Sequence, residues 1–209
     1  MRVRVRVRVV GWSALLIECT EPLGLAAWLT GRRAAGELTA TEIVPGERTV
    51  LLDGVPEPER LAGLLTRWNI TIADITAAAA PVAERRVELP TVYDGADLPL
   101  VARYWGVSVP EAVERHRATE FTVAFCGFAP GFGYLTGLPA SLAVPRLDTP
   151  RPRVPAGSVA LAGSFTGIYP SASPGGWLLI GRTSMVLFDV AAQPPALLSP
   201  GTKVRFVDA

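Results

Sequence analysis

Glycine and proline are concentrated in the second half of the chain, and this distribution limits the possible folds more than any other feature. Of the 20 Gly and 19 Pro among 209 residues, 11 of each lie between Cys126 and Gly201. Both residues interrupt helices, which excludes a helical bundle for this region. The sequence therefore predicts a regular first half and a turn-rich second half that consists mostly of β-strands.

Net charge and the rarer side chains exclude several classes of protein. The 20 basic and 19 acidic side chains leave a net charge of +1, which is too little for a dedicated nucleic-acid-binding protein. With one His and two Cys, the chain cannot build a zinc site from His and Cys, and no metal site is evident. Cys19 and Cys126 lie in apolar, strand-like runs, which is typical of reduced thiols in a cytoplasmic protein.

Two uncharged windows, residues 121–145 and 154–181, are long enough to span a bilayer. Gly and Pro within both windows favour core strands and tight turns over a lipid-exposed helix. The N-terminus alternates Arg with Val and lacks the continuous apolar stretch of a signal peptide. We therefore expect a cytoplasmic protein with no membrane contact.

The first half of the chain alternates strand and helix patterns. Residues 2–9 alternate Arg with Val, which predicts a half-buried strand with an arginine row, or alternatively a phosphate-binding strip. The run from Ala77 to Pro81 marks a domain boundary, so residues 1–84 are predicted to form a small α+β N-terminal domain. Its other predicted elements are a strand over 13–19, a helix capped by Thr20 and running to about Gly31, hairpin strands over 39–44 and 49–52, and an amphipathic helix over 58–68.

The second predicted domain, residues 85–209, begins with a strand and two helices before the turn-rich region. The strand covers 87–93, the first helix covers 97–106, and a capping box at Ser108 and Glu111 starts a helix that ends near His116. From Phe121 onward the pattern indicates short strands, and the last of these covers 203–207. A β-barrel is the arrangement that best removes the edges of so many short strands.

Familiar catalytic motifs are absent from the sequence. A Walker A loop needs Gly-Lys-Ser/Thr, whereas the only Lys is Lys203. The glycines between Gly131 and Gly137 resemble a dinucleotide-binding loop, but their last spacing is one residue too long and Pro139 follows. In Gly163-Ser-Phe-Thr-Gly167 the Ser stands one place early for a nucleophile elbow.

The remaining candidate site lies in three Gly-rich segments, residues 116–138, 154–170 and 173–183. Their turns let backbone N–H groups approach a carboxylate or a developing oxyanion. Two interpretations of His116 stay open: it transfers a proton, or it caps a helix while the turns are merely barrel corners. A clamp for a substrate carboxylate could come from four arginines, Arg146, Arg151, Arg153 and Arg182.

These segments resemble the family of the 5-oxoprolinase B subunits, which is also known as allophanate hydrolase subunit 1 or sporulation kinase inhibitor and forms part of the carboxyltransferase region of urea carboxylases. The resemblance spans essentially the whole chain. The residues that carry it are His116, Phe121, Val123, the run Gly127-Phe-Ala-Pro-Gly-Phe-Gly-Tyr-Leu135, Pro150 to Val159, Thr166-Gly-Ile-Tyr-Pro170 and Pro174-Gly-Gly-Trp177.

The resemblance implies a fold and a function. The fold is a small α/β N-terminal domain followed by a mainly β, cyclophilin-like barrel. The activity is the ATP-dependent opening of 5-oxoproline to glutamate. It is performed with a sister subunit, of the type called the 5-oxoprolinase C subunit or allophanate hydrolase subunit 2, and with the 5-oxoprolinase A subunit. The alternatives are allophanate hydrolysis and a regulatory module that binds a kinase and catalyses nothing.

The resemblance and the chemistry together predict the site residues. The predicted catalytic residues are His116, Tyr134 and Arg146. Two positions depart from the family pattern: Phe165 replaces a common Gln, and Trp12 replaces a common Asp, so the amide substrate stays open. The predicted substrate-binding residues are Gly127, Pro130, Gly131, Phe132, Arg153, Ser158, Gly163, Ser164, Thr166, Gly175, Gly176 and Arg182.

Overall fold

The computed structural model describes residues 5–68, 70–79 and 85–209. The chain divides into two compact units, Met1–Ala83 and Glu84–Ala209. It is a mixed α/β protein, with five α-helices among the described residues. That the chain folds as two separate domains, 1–84 and 85–209, stays a prediction.

The first unit packs helices against one four-stranded antiparallel sheet. The strand order is β1-β2-β4-β3, and Leu15, Ile17, Val50 and Leu52 are buried in its core. Because side chains alternate along a strand, these residues share one face of the sheet. The elements are β1 (Arg6–Val10), β2 (Ala14–Glu18), α1 (Pro22–Ala34), β3 (Glu42–Pro45), β4 (Thr49–Asp53), α2 (Pro58–Arg67) and α3 (Ile72–Ala79).

Most predicted elements of this unit are present, and two predictions were wrong in detail. Thr20 does not cap α1: the helix begins at Pro22, a residue whose fixed φ suits the first helical position, and passes Gly31 before it ends. The Ala-rich run predicted to mark a boundary belongs largely to α3. Thr71 and Asp74 cap that helix reciprocally, with the Asp74 N–H donating to Thr71 Oγ1 at 3.2 Å. The first residues of the predicted Arg-Val strand, 2–4, lie outside the described residues.

The second unit is built on a seven-stranded sheet of order β12-β9-β10-β7-β6-β13-β5. A backbone bridge between Val92 and Arg182 links its two edges, so the sheet is nearly closed and barrel-like. The elements are β5 (Arg86–Thr91), α4 (Leu98–Trp105), α5 (Val109–Ala118), β6 (Phe121–Cys126), β7 (Gly133–Thr136), β8 (Arg151–Val154), β9 (Ser158–Ala162), β10 (Phe165–Ile168), β11 (Ser173–Gly175), β12 (Leu178–Arg182) and β13 (Lys203–Asp208).

The two helices of this unit begin and end as their sequences predict. Gly106, in the left-handed conformation with φ of 65°, ends α4. The Ser108 side chain accepts a hydrogen bond from the Glu111 N–H at 3.4 Å and thereby caps α5. The helix continues two residues past His116 to Ala118.

The sheet separates two apolar clusters. The larger contains Phe121, Val123, Leu161 and Phe206 and packs beneath α4 and α5. The smaller contains Phe132, Tyr169 and Trp177 and lies on the side of the two-stranded β8–β11 ribbon. Because successive side chains of a strand point to opposite faces, β9 and β10 contribute to both clusters.

In the part of the chain that the structure describes, no helix is long and apolar enough to cross a membrane. Cys19 and Cys126 are both free thiols. Burial raises the pKa of the Cys19 thiol to about 11, which makes it an inert core residue. Trp12, one of the two departures from the family pattern, lies in the β1–β2 turn with its side chain 97% exposed.

Candidate functional site

A cavity of about 320 Å³ opens beside the smaller apolar cluster of the second unit. Six aromatic side chains and one guanidinium dominate its wall, which is the composition of a small-molecule site rather than of a packing defect. The residues that line it are Phe128, Phe132, Tyr134, Arg146, Ala162, Gly163, Phe165, Tyr169, Pro174, Gly175 and Trp177.

Strand β10 shapes the inner wall of the cavity through its period of two. Phe165 lines the cavity, Thr166 points to the opposite face, and Gly167 returns to the cavity side. A Cβ on Gly167 would lie 2.8 Å from Phe132 and 2.9 Å from Trp177, so only glycine lets these rings pack against the strand. The three residues together explain why the run Phe165-Thr-Gly167 has this composition.

The aromatic rings hold one another edge-on. The centroid of the Phe132 ring lies 5.4 Å from that of Tyr169 and 5.4 Å from that of Trp177. Phe165 contacts Tyr134 edge-on at 5.8 Å. Such T-shaped pairs contribute about 0.5–1.5 kcal/mol each beyond their buried area. The wall is therefore preorganised before any ligand enters.

Arg146 is the cationic group of the cavity. It is exposed, and it makes no hydrogen bond or ion pair with any other residue in the described ranges 5–68, 70–79 and 85–209. Burial raises the pKa of Tyr134, and the guanidinium of Arg146 opposes this shift. Burial likewise raises the pKa of Tyr169, against a backbone hydrogen bond at Trp177 and the charge of Arg146. Both phenols therefore stay protonated at neutral pH and can donate hydrogen bonds.

The cavity suits the binding of a small, flat anion. A free guanidinium recognises a carboxylate with two parallel hydrogen bonds, and two phenol hydroxyls can donate to a carbonyl oxygen. The faces of the aromatic rings suit a planar apolar surface. Among the residues that line this cavity none is a carboxylate or a histidine, so its own side chains bind and orient a ligand rather than transfer a proton at pH 7.

His116 does not line the cavity. It is 1% exposed and lies among the rings of Phe121 and Phe206, with centroids at 4.9 and 4.5 Å. Its Nδ1 is hydrogen-bonded to Tyr93 Oη at 2.8 Å and its Nε2 to Thr166 Oγ1 at 3.3 Å. Burial lowers the pKa of His116 to about 3, so the imidazole is neutral. His116 and Thr166 thus lie on the face of β10 that points away from the cavity.

Three of the four candidate arginines are placed away from a ligand. Arg151 donates to both carboxylate oxygens of the buried Asp97 at 2.7 Å, and Asp97 also accepts from the Leu179 N–H. Arg182 pairs with Asp94 at 2.8 Å, and Arg153 is exposed on β8 outside the cavity. Arg151 is therefore a structural residue that holds β8 to the start of α4 and to β12.

The predicted cradle of backbone donors is partly used by the fold itself. The Gly127 N–H donates to the Phe132 carbonyl at 3.2 Å, and the Gly163 N–H donates to the Val144 carbonyl at 2.8 Å. Pro130 has no N–H and occupies a turn. Gly176 accepts a hydrogen bond from Leu147, and Ser158 is buried in β9. Ser164 follows Gly163 in the turn between β9 and β10 without lining the cavity.

The structure thus brings Phe132, Tyr134, Arg146, Gly163 and Gly175 together among the residues predicted from sequence. Sequence analysis missed Phe128, Tyr169 and Trp177, although all three lie in the motif runs, and treated Phe165 only as a departure. The period of two along β10 is the signal that could have found Phe165. Within the described residues, no three His, Cys, Asp or Glu side chains form a metal-binding group.

Comparison with known proteins places the chain in a family. The carboxyltransferase domain, subdomain C and D, matches residues 5–198. The chain belongs to this family. This finding confirms the resemblance inferred from the motif runs of the second half.

Two curated relatives, both 5-oxoprolinase B subunits, match nearly the whole chain. The one from Escherichia coli O157:H7 is 41% identical, covering 98% of this chain and 96% of its own length. The one from Bacillus subtilis (strain 168) is 35% identical, covering 99% of this chain and 94% of its own length.

Two solved structures share the fold. A conserved uncharacterized protein from Pyrococcus horikoshii is 32% identical with a TM-score of 0.58, covering 98% of this chain and 97% of that one. The urea amidolyase of K. lactis has a TM-score of 0.66 over 100% of this chain and 15% of its own. At 20% identity, the latter likeness shows the fold alone.

Proposed function

We propose that this chain is the B subunit of a 5-oxoprolinase, an enzyme complex that hydrolyses the lactam C–N bond of 5-oxoproline to give glutamate. The observation that carries the proposal is the 41% identity to a 5-oxoprolinase B subunit over nearly the full length of both chains. The name of that relative also implies partners, here a sister chain of the C-subunit type and an A subunit.

The chemistry of the cavity supports this substrate. 5-Oxoproline is a small, nearly flat ring that carries one carboxylate and one lactam carbonyl. Arg146 would bind the carboxylate, and the hydroxyl of Tyr134 or Tyr169 would donate to the lactam oxygen. The aromatic walls would cover the faces of the ring and exclude water, which strengthens both polar contacts.

The cavity does not fit ATP. A triphosphate needs several cations or a metal ion, whereas the lining residues offer one guanidinium and no carboxylate that could hold Mg²⁺. We therefore assign ATP binding to the partner subunits. In this division of labour the present chain binds and orients the amide, and the acid–base groups come from the facing subunit.

Three structural expectations belong to the same proposal. They are the cyclophilin-like character of the barrel, the independent folding of 1–84 and 85–209, and a cytoplasmic location. The nearly closed sheet with its Val92–Arg182 bridge supports the first of these.

The test is reconstitution of the complex with its sister subunits and measurement of ATP-dependent glutamate release from 5-oxoproline. Arg146→Gln is expected to raise the KM about 10- to 100-fold, since a hydrogen bond to a charged group contributes about 1.5–3 kcal/mol. Arg153→Gln is the matched control, because Arg153 is exposed outside the cavity, and its KM should stay within about twofold of wild type.

Other results would contradict the proposal. Ammonia release from allophanate without activity on 5-oxoproline would make the chain an allophanate hydrolase subunit. Recovery of a histidine kinase as the stable partner, with no turnover of either amide, would indicate a regulatory module. Equal KM values for Arg146→Gln and wild type would remove the cavity from the substrate site.

A further inference from the structure

Phe128 has the least ordinary backbone conformation in the second unit. Its φ is +67°, and among the described residues every other residue with positive φ is a glycine. The Ala129 N–H donates to the Gly127 carbonyl at 2.7 Å, which closes a three-residue turn with Phe128 at its centre. A γ-turn with positive φ at the central residue is rare and strained, the more so for a bulky side chain.

The neighbouring turn maintains this conformation. The Phe132 N–H donates to the Ala129 carbonyl at 3.0 Å, and Gly131 has φ of +84°, so Ala129-Pro-Gly-Phe132 forms a type II turn. A Cβ on Gly131 would lie 2.7 Å from Phe188 Cβ, so the turn is packed closely against that residue. Hydrogen bonds on both sides of Phe128 thus fix a backbone that a phenylalanine does not favour.

Packing does not explain the strain, because the Phe128 side chain is 62% exposed. What the conformation achieves is the position of the ring. The ring lines the cavity and contacts Phe132 and Tyr169 edge-on, with centroids at 5.3 and 6.1 Å. Strained residues that are fixed by their surroundings cluster at binding sites, where the strain preorganises contact with a ligand.

We propose that Phe128 is a substrate-contacting residue whose ring forms the outer wall of the cavity and covers the face of a small planar amide bound at Arg146. The inference rests on the proposed function, since it takes 5-oxoproline as the ligand. The strained turn places an aromatic face over the ligand in advance, so the ring need not be ordered on binding. Loss of the ring therefore weakens substrate binding more than it weakens the fold.

The test compares Phe128→Gly with Phe128→Ala in the reconstituted complex. Both variants remove the ring, and both are expected to raise the KM for 5-oxoproline about tenfold, the worth of one favourable aromatic contact. The order of their melting temperatures reports the strain. At an ordinary position Gly is the less stable of the two, whereas here the Gly variant should melt about 2–4 °C above the Ala variant, because only Gly adopts positive φ freely.

Tyr104→Ala is the matched control, since Tyr104 is also a half-exposed aromatic residue, 52% exposed on α4 and outside the cavity. Its KM should equal that of wild type. Unchanged KM values in both Phe128 variants, in a complex that releases glutamate, would overturn the inference and leave the proposed function intact. Loss of subunit association with an unchanged KM would also overturn it, because the ring would then contact a partner. A wild-type complex without activity on 5-oxoproline would instead overturn the proposed function.

Discussion

His116 is expected to be neutral throughout the pH range in which a histidine normally titrates. It is the one histidine of the chain, so its ionisation can be followed without interference from others. Burial among apolar rings lowers its pKa from the ordinary 6.5 to about 3. The unfolded chain binds a proton below pH 6.5 where the folded chain does not, and stability must fall as the pH is lowered.

The size of the effect follows from the same two pKa values. Above pH 6.5 neither state binds the proton and the contribution to stability is complete. Below pH 6.5 the free energy of unfolding decreases by about 1.4 kcal/mol per pH unit until the pH approaches 3. Between pH 7.5 and pH 5.0, before most carboxylates titrate, the loss due to His116 is about 2 kcal/mol.

Two assays check this prediction. In a proton NMR titration, the C2–H resonance of His116 should not shift between pH 8 and pH 5. In urea unfolding at several pH values, the wild type should lose about 2 kcal/mol over this window, and His116→Asn, which has no titrating ring, should lose far less. His116→Asn is also expected to lower stability at pH 7.5, since it disturbs the partners of Tyr93 and Thr166.

A midpoint near pH 6.5 in the NMR titration would refute the reasoning, because it would show an imidazole that water reaches. It would also restore His116 as a candidate for proton transfer. The NMR measurement uses only the wild-type protein, so it decides the matter even if the variant is too unstable to purify.

Two further predictions concern the support and the selectivity of the cavity. Asp97→Ala removes the partner of the Arg151 guanidinium and of the Leu179 N–H, and should lower the free energy of unfolding by about 3 kcal/mol in urea titrations, whereas Asp94→Ala, which breaks the exposed pair with Arg182, should cost about 1 kcal/mol or less. Phe165→Gln places an amide in the cavity wall and should shift the ratio of kcat/KM values for allophanate and 5-oxoproline about tenfold towards allophanate; an unchanged ratio would show that Phe165 does not select the ligand.

Local turns and caps could be predicted because nearby residues determine them. Ser108 with Glu111 begins α5, and Pro130-Gly131 makes a type II turn in the motif run. The end of α1 could not be placed at Gly31, because an exposed helix tolerates a glycine and ends at the next one, Gly36, whose φ is positive.

The roles of individual site residues could not be predicted, because they depend on contacts between distant strands. The sequence makes His116 and Arg146 equal candidates for a functional role. Packing buries His116 beside Phe121 and Phe206 and leaves Arg146 unpaired, within the described residues, at the cavity. Arg151 differs from Arg146 in having Asp97, 54 residues away in sequence, within reach.

The conformation of Phe128 could not be predicted either. Nothing in its local sequence indicates a positive φ, since phenylalanine rarely adopts it. The turn is fixed by hydrogen bonds on both sides and by the close approach of Gly131 to Phe188, a residue far along the chain. Such a contact becomes visible only when the strands are assembled.

The central claim is that this chain supplies the cavity in which a 5-oxoprolinase holds its substrate. A crystal structure of the reconstituted complex soaked with 5-oxoproline tests it most directly. We expect the substrate in the cavity, its carboxylate within hydrogen-bonding distance of Arg146 and its ring between Phe128 and the inner aromatic wall. Substrate bound elsewhere, with the cavity filled by a side chain of a partner subunit, would contradict the account.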